Sequence, residues 1–263
     1  MADSKSTPDP ILITFPPSLD SELARFLLVH YGIRHEERPH ALIFSFFYTL
    51  WHGRTLIFPL LYGNSLRLVG PRAMSRHFDA RCAPDLKLWP EDETQMRQVE
   101  TDWKDFNQTL ALATARFAYY HLLPLRDLMI RPLSQAAPEF ERKAVRTAYP
   151  IFAGLLRILL WLTANHAQQS LDQVRASFKA VDDRLATGRK FLVGDRLTLS
   201  DIAFADAAAP VVLPNAYGGP IPTFAEMPAV VQQVVTEMRS HPAGAFALRI
   251  YDEQRHVAGA RVA

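Results

Sequence analysis

The chain has a single cysteine, Cys82, among its 263 residues. That excludes an intrachain disulfide, leaves no cysteine pattern for structural zinc, and suits a reducing compartment. Charge of one sign is equally scarce. With 29 Lys and Arg against 27 Asp and Glu, the formal net charge is +2, so composition makes no electrostatic case for nucleic acid or an anionic membrane. Long hydrophobic runs are also missing. Residues 41–51 (ALIFSFFYTLW) are strongly apolar but stop at His52, Gly53 and Arg54, well short of the roughly 20 residues a spanning helix needs. Residues 152–164 are interrupted by Arg157, and the opening MADSKSTPDP holds no apolar signal-peptide core. A soluble, cytoplasmic protein without metal, nucleic acid or membrane partner is the expectation.

What is present is enough apolar material, 49% of the chain, for one large domain or two modest ones. Residues 1–10 are polar and proline-bearing and read as a flexible leader. Residues 11–15 form a short apolar run stopped by Pro16-Pro17, as in a buried strand. Between 18 and 31, Leu23, Phe26, Leu27 and Leu28 follow a helical period, and Gly32 supplies the stop. A second strand is expected within 33–38. Residues 55–61 and 65–69 flank Tyr62-Gly63-Asn64, a hairpin with a Gly-Asn turn, and 71–80 fit a short helix with Pro71 in its first turn. This order, β-α-β, hairpin, α, is that of a thioredoxin-like domain.

Residues 81–90 read as a connection, and beyond them the pattern is helical. Residues 91–123 carry Trp103, Phe106, Leu110, Ala113 and Phe117 on or near one face. Residues 139–167 form another helical stretch, with Pro150 marking a kink or break. Leu171, Val174, Phe178, Val181 and Leu185 alternate three and four apart, with Gly188 placed as a C-cap. Shorter helices are expected after Thr198, Met227 and Pro242. No internal repeat is visible. The fold class is therefore two-domain, α+β followed by all-α: leader 1–10, thioredoxin-like domain 11–82, linker 83–92, all-helical domain 93–257.

Residues 191–205 contain a helix start with every device in place. Thr198 is the N-cap, Asp201 supplies the carboxylate of a capping-box-like pair, and Leu197 and Ile202 hold the positions of a hydrophobic staple. Local physics needs only a capped helix. The full string Leu-Val-Gly-Asp-Arg-Leu-Thr-Leu-Ser-Asp-Ile-Ala at 192–203 resembles the capping-box segment in the helical domain of the glutathione S-transferase superfamily. The likeness points to serine-type members, zeta- or theta-like or bacterial.

That resemblance implies several further things. Phe58-Pro59-Leu60-Leu61 is similar to the family's Val-Pro-x-Leu, with a cis-proline before the hairpin and the Phe58 backbone pairing with the cysteinyl part of glutathione. Counting back from Gly32-Ile33, Ser18 falls where serine-type transferases keep the serine that stabilises the thiolate. Lowering a free thiol's pKa of about 8.5 by two units takes roughly 2.7 kcal/mol, within the combined range of one hydroxyl and a helix N-terminus. The same residues have a plainer reading: Ser18, Asp20 or Ser21 caps the first helix. Ser21 is the second candidate donor. No cysteine occupies this loop.

Two segments depart from the family. Where an acidic residue and serine usually hold the γ-glutamyl carboxylate, this chain has Gly70-Pro71, and proline has neither hydroxyl nor N–H. Arg72 is a candidate replacement through a guanidinium–carboxylate contact, or simply an exposed helical arginine. The stretch from Trp51 to Pro59 carries extra residues, leaving Arg54 or His52 as candidates for the glycyl carboxylate. For the second substrate, Arg116, Tyr119 and Tyr120 are candidates to face an interdomain pocket, or to serve as core. Residues 41–51 would line or lid the cleft, or form a partner-binding surface. The implied activity is transfer of the glutathione thiolate, activated by Ser18, to a small hydrophobic electrophile in a homodimer. The alternative is a non-catalytic transferase-fold module that binds a ligand or a protein and no longer takes glutathione.

Overall fold

The computed structural model describes residues 8–63 and 65–255. Most of the expected leader, and Asn64 of the expected turn, lie outside the described residues.

The chain opens with β1 (Ile11–Thr14), α1 (Leu19–His30), β2 (Glu36–Pro39), α2 (Leu42–Gly53), β3 (Leu60–Gly63), β4 (Leu66–Val69) and α3 (Gly70–Asp79). The sheet order is β2-β1-β3-β4. β1 runs parallel to β2 and antiparallel to β3, and β3 antiparallel to β4. This is a thioredoxin-like βαβαββα unit. Strands β1 and β3, Ile-Leu-Ile-Thr and Leu-Leu-Tyr-Gly, are covered on both faces, so they read as near-continuous apolar runs. Leu12 and Leu61 pack against Ala24 and Leu28 of α1 and Met74 of α3. On the other face, Leu60 meets α2 at Gly53, where a Cβ would come within 2.7 Å of the leucine side chain. The apolar residues 41–51 are therefore a sheet-covering helix that the strand-and-hairpin order does not reveal. The Phe58-Pro59 bond is cis. β3 begins only at Leu60, which shortens the expected strand 55–61.

The remainder is helical: α4 (Glu93–Trp103), a π-helical segment (Lys104–Leu110), α5 (Ala111–Leu122), α6 (Arg126–Ser134), α7 (Glu139–Thr147), α8 (Tyr149–Leu159), α9 (Ala164–Leu185), α10 (Leu199–Val212), α11 (Ala229–Ser240) and α12 (Pro242–Gln254). The expected helix 91–123 is one rod with a π segment at its centre. The expected stretch 139–167 divides instead. Pro150 lies in the first turn of α8, where its missing N–H costs nothing. A left-handed Trp161 (φ 50°) and the Thr163 cap then reset the chain into α9.

Helix α10 is buried almost throughout, which explains its lack of a polar face. Its capping box is formed: the Thr198 N–H and hydroxyl donate to Asp201 Oδ2 at 2.7 and 3.0 Å. The Leu192 N–H donates to Oδ1 at 2.7 Å. Burial pushes the Asp201 carboxyl up to about 6 despite these bonds.

Two buried carboxylates join the halves. Asp79, at the end of α3, accepts from Tyr31 Oη at 3.0 Å and from the N–H groups of Leu88 and Trp89 at 2.5 and 3.2 Å. Leu88 C=O in turn accepts the Leu199 N–H at 3.0 Å. Glu141 of α7 accepts from His40 Nδ1 and from the Ala41 N–H, both at 2.7 Å, and so fixes the start of α2. One apolar core runs through both halves, with Phe26 of α1 edge-on to Tyr251 of α12 at 5.3 Å. Among the described residues, no helix is long and apolar enough to cross a membrane.

Candidate functional site

The loop between β1 and α1 is held rigidly from outside. Arg25 of α1 donates to Glu37 (2.8–3.1 Å), to Glu22 (3.2 Å) and to the Pro16 carbonyl (3.3 Å). Glu22, fully buried, also accepts the Gly218 N–H and Arg255 Nε, each at 3.0 Å. Burial opposes ionisation of Glu37, but the charge and hydrogen bonds of Arg25 overcome it and hold that carboxyl below its ordinary value. The 217–219 loop lies directly on this turn. A Cβ at Gly219 would sit 2.3 Å from the Pro16 carbonyl oxygen, so only glycine permits the approach.

Within the loop the two serines separate cleanly. Ser21 is fully buried, and its Oγ accepts the Phe15 N–H at 3.2 Å, tying the turn together. Ser18 is the N-cap of α1 (φ −74°, ψ 132°), but its side chain makes no capping bond. The residue lines a cavity of about 340 Å³ between the halves.

That cavity is apolar for a reason visible in the sequence. Helix α5 turns Ala111, Ala115 and Ala118 toward it, three small side chains at helical spacing that leave space where leucines would fill it. Leu42 and Phe46 of α2 and Phe58 close the sheet side; Met129, Leu156 and Leu160 close the helical side. Phe58 packs edge-on to Phe15 (5.7 Å) and against Phe46 (5.5 Å).

Few polar groups reach the cavity. Beside Ser18 is Asp20, in the first turn of α1; its Oδ1 accepts from Asn107 Nδ2 at 3.1 Å across the interface. Asn107 lies in the π-helical segment, a distortion often found where a helix redirects side chains toward a site. Burial raises the Asp20 carboxyl above its ordinary range, with the Asn107 bond opposing it. Tyr119 also lines the cavity; its hydroxyl is buried without a partner among the described residues, and burial raises its pKa. Tyr217 donates to the Pro17 carbonyl at 3.4 Å. Behind this wall Asp206 of α10 is fully buried, with neither oxygen hydrogen-bonded among the described residues. Burial, then the nearby Glu22 and Asp20, raise it well above a normal carboxyl.

Residues 150–232 match the family model described as glutathione S-transferase, C-terminal domain. Among solved structures, the chain is similar to a glutathione S-transferase from Sinorhizobium meliloti 1021 (19% identity, 96% of each chain, TM-score 0.54). It is also similar to the beta-etherase LigF from Sphingobium sp. strain SYK-6 (13% identity, 91% of this chain and 98% of that one, TM-score 0.58). A third likeness is to a glutathione transferase from Pseudomonas putida with glutathione disulfide bound (14% identity, 94% of each chain, TM-score 0.54). Residues 150–232 thus carry a glutathione S-transferase C-terminal domain, and the chain as a whole shares the fold of these transferase structures. Against curated proteins no sequence match is significant.

Of the residues singled out for this transferase fold, Ser18, Phe58 and Tyr119 meet at the cavity, with Pro59 immediately behind Phe58. The others lie elsewhere. Arg72 pairs with Glu100 of α4, a contact shared with Arg76. Arg54 is the exposed, left-handed C-cap of α2, and His52 stacks on Tyr62 at 4.5 Å. Arg116 Nε donates to the Leu160 carbonyl at 2.9 Å. Tyr120 is half-buried, edge-on to His121. Asp20 and Asn107 are the polar groups that sequence reasoning left without a place in the site. The alanine spacing in α5 was the available signal for the cavity.

Proposed function

We propose that this protein is a glutathione transferase of serine type, which adds the glutathione thiolate to a small hydrophobic electrophile. The observation that carries the reading is the Ser18 hydroxyl. Ser18 stands at the N-terminus of α1, makes no capping bond with its side chain while Ser21 ties the loop, and lines the apolar cavity. The backbone of Phe58 would take the cysteinyl part of the peptide as an added strand. Ser18 would donate to the sulfur while the helix dipole favours its negative charge. The electrophile would lie between the α5 alanines and Phe46. By the same resemblance the protein would be a cytoplasmic homodimer; the exposed Phe47, Leu50 and Trp51 of α2 offer such a contact.

The test is calorimetric titration with reduced glutathione, with the thiol's ionisation followed by ultraviolet absorbance, in wild type and Ser18→Ala. The expected result is binding in both, with the bound thiol's pKa about two units below its free value only in the wild type, a difference of roughly 2.7 kcal/mol. Equal thiol ionisation in the two proteins would refute the assigned mechanism.

A second reading has its own support. Gly70-Pro71 at the start of α3 lacks the donors the family uses for the γ-glutamyl carboxylate, and Arg72 is engaged by Glu100. A transferase-fold ligand-binding module without glutathione would need neither. Absence of any glutathione binding in the same titration decides for it.

A further inference from the structure

We propose that Asp20 is the proton donor of the site, and that the electrophile it serves leaves through oxygen. The inference rests on the transferase reading and names its substrate class: an apolar epoxide or aryl ether rather than a halide. The geometry is specific. Asp20 lines the same cavity as Ser18, from the next position but one along α1. Its Oδ1 is fixed by Asn107 Nδ2 at 3.1 Å from the facing half. The anchoring amide donates, so the oxygen it holds is the acceptor one. Oδ2 makes no hydrogen bond among the described residues, and it is the atom left to carry a proton.

The surroundings favour the neutral carboxyl over the charged one. The cavity walls are almost wholly apolar. The charged groups behind the wall are Glu22 and Arg25 of α1, Asp206 of α10 and Arg255, beside the Tyr217 hydroxyl. Arg25 and Arg255 are spent on the Glu22 and Glu37 carboxylates, and no cation forms an ion pair with Asp20 among the described residues. Burial accordingly holds Asp20 toward its neutral form.

The chemistry balances with these parts. Glutathione gives its thiol proton to solvent on ionisation. The sulfur electron pair then forms a C–S bond as the C–O bond breaks, and the Asp20 proton passes to the departing oxygen, giving an alcohol or phenol. The carboxylate is reprotonated from solvent. A halide leaves as a stable anion and needs no such proton, so the two leaving groups separate proton donation from every other role of the residue.

The test uses the full-length protein, wild type and Asp20→Asn, which keeps size and shape but holds no transferable proton. An aryl halide and an aryl epoxide of matched size are each assayed with glutathione across pH. The expected result is a loss of about 100-fold in kcat/KM on the epoxide, within the range of a positioned general acid, and a far smaller loss on the halide. The wild-type epoxide profile should also fall at alkaline pH, and that limb should vanish in the variant. Comparable losses on both substrates, with glutathione still bound, would overturn the assignment of Asp20 alone. Failure of the wild type to bind glutathione removes the transferase reading itself, and this inference with it.

Discussion

Replacing Glu141 by alanine tests whether the cavity depends on a single interdomain carboxylate. Glu141 is fully buried on α7, and its two oxygens take the Ala41 N–H and His40 Nδ1, both at 2.7 Å. Ala41 caps α2, whose next turn supplies Leu42 and Phe46 to the cavity wall. Truncation leaves a buried backbone N–H unsatisfied, at about 1–3 kcal/mol, and removes a charge-assisted hydrogen bond worth about 1.5–3 kcal/mol. The sum, about 2.5–6 kcal/mol, brackets the usual cost of about 3–5 kcal/mol for breaking a buried polar pair. At about 2–4 °C per kcal/mol for a chain of this size, the midpoint should fall by about 10 °C. Glu141→Gln retains an oxygen for the Ala41 N–H and should recover at least half of the loss. The assay is thermal unfolding monitored by circular dichroism, paired with binding of an apolar fluorescent probe to the cavity. A Glu141→Ala protein within about 1 kcal/mol of wild type would show that apolar packing positions α2 and that the clamp is incidental.

Two further outcomes follow from the site. Asp206, fully buried with unpartnered oxygens, has a folded pKa above its unfolded one. Its contribution to stability is therefore complete below about pH 4 and is lost as pH rises through the elevated folded value. Asp206→Asn, which mimics the protonated form, should flatten the decline in midpoint as pH rises above about 4, and an unchanged slope would contradict the assignment. Ala115→Phe should fill the cavity from α5, lowering affinity for apolar ligands by at least about tenfold, or 1.4 kcal/mol. Retention of that affinity would place the electrophile outside this space.

Periodicity carried most of the fold and little of the site. Apolar strands bounded by Pro16-Pro17 and by the hairpin, helices with period 3.6, and the Thr198–Asp201 box are local signals, and local signals survive in a single sequence. Helix α2 was harder to read because its sequence, LIFSFFYTLWHG, is apolar on nearly every face. Its buried side covers the sheet through Leu42, Ser45 and Thr49, while Phe47 and Trp51 remain exposed. Pro150 announced an interruption without saying that a new helix starts there. At the candidate site, the expectation for Ser18 came from its distance to Gly32 together with the family likeness, and the proposed role rests on both. Asp20 was not, because what distinguishes it is Asn107, 87 residues away in sequence. Arg72 illustrates the converse. A helical arginine near a missing carboxylate ligand invites a binding role, yet its partner, Glu100, comes from another helix that no local spacing could indicate.

The departures from the family and the apolar cavity belong to one balance of binding energy. Losing two hydrogen bonds to a charged carboxylate at the start of α3 removes about 1.5–3 kcal/mol each, or two to four decades of peptide affinity. The cavity offers compensation of a different kind, about 0.8 kcal/mol for each methylene withdrawn from water. Four such groups approach the lower end of what Gly70-Pro71 forfeits. A site built this way would bind the electrophile first in importance, with the thiol peptide held mainly through the Phe58 backbone and Ser18. Selectivity would then follow the shape set by Ala111, Ala115 and Ala118, while the reaction's demand for a proton falls on Asp20.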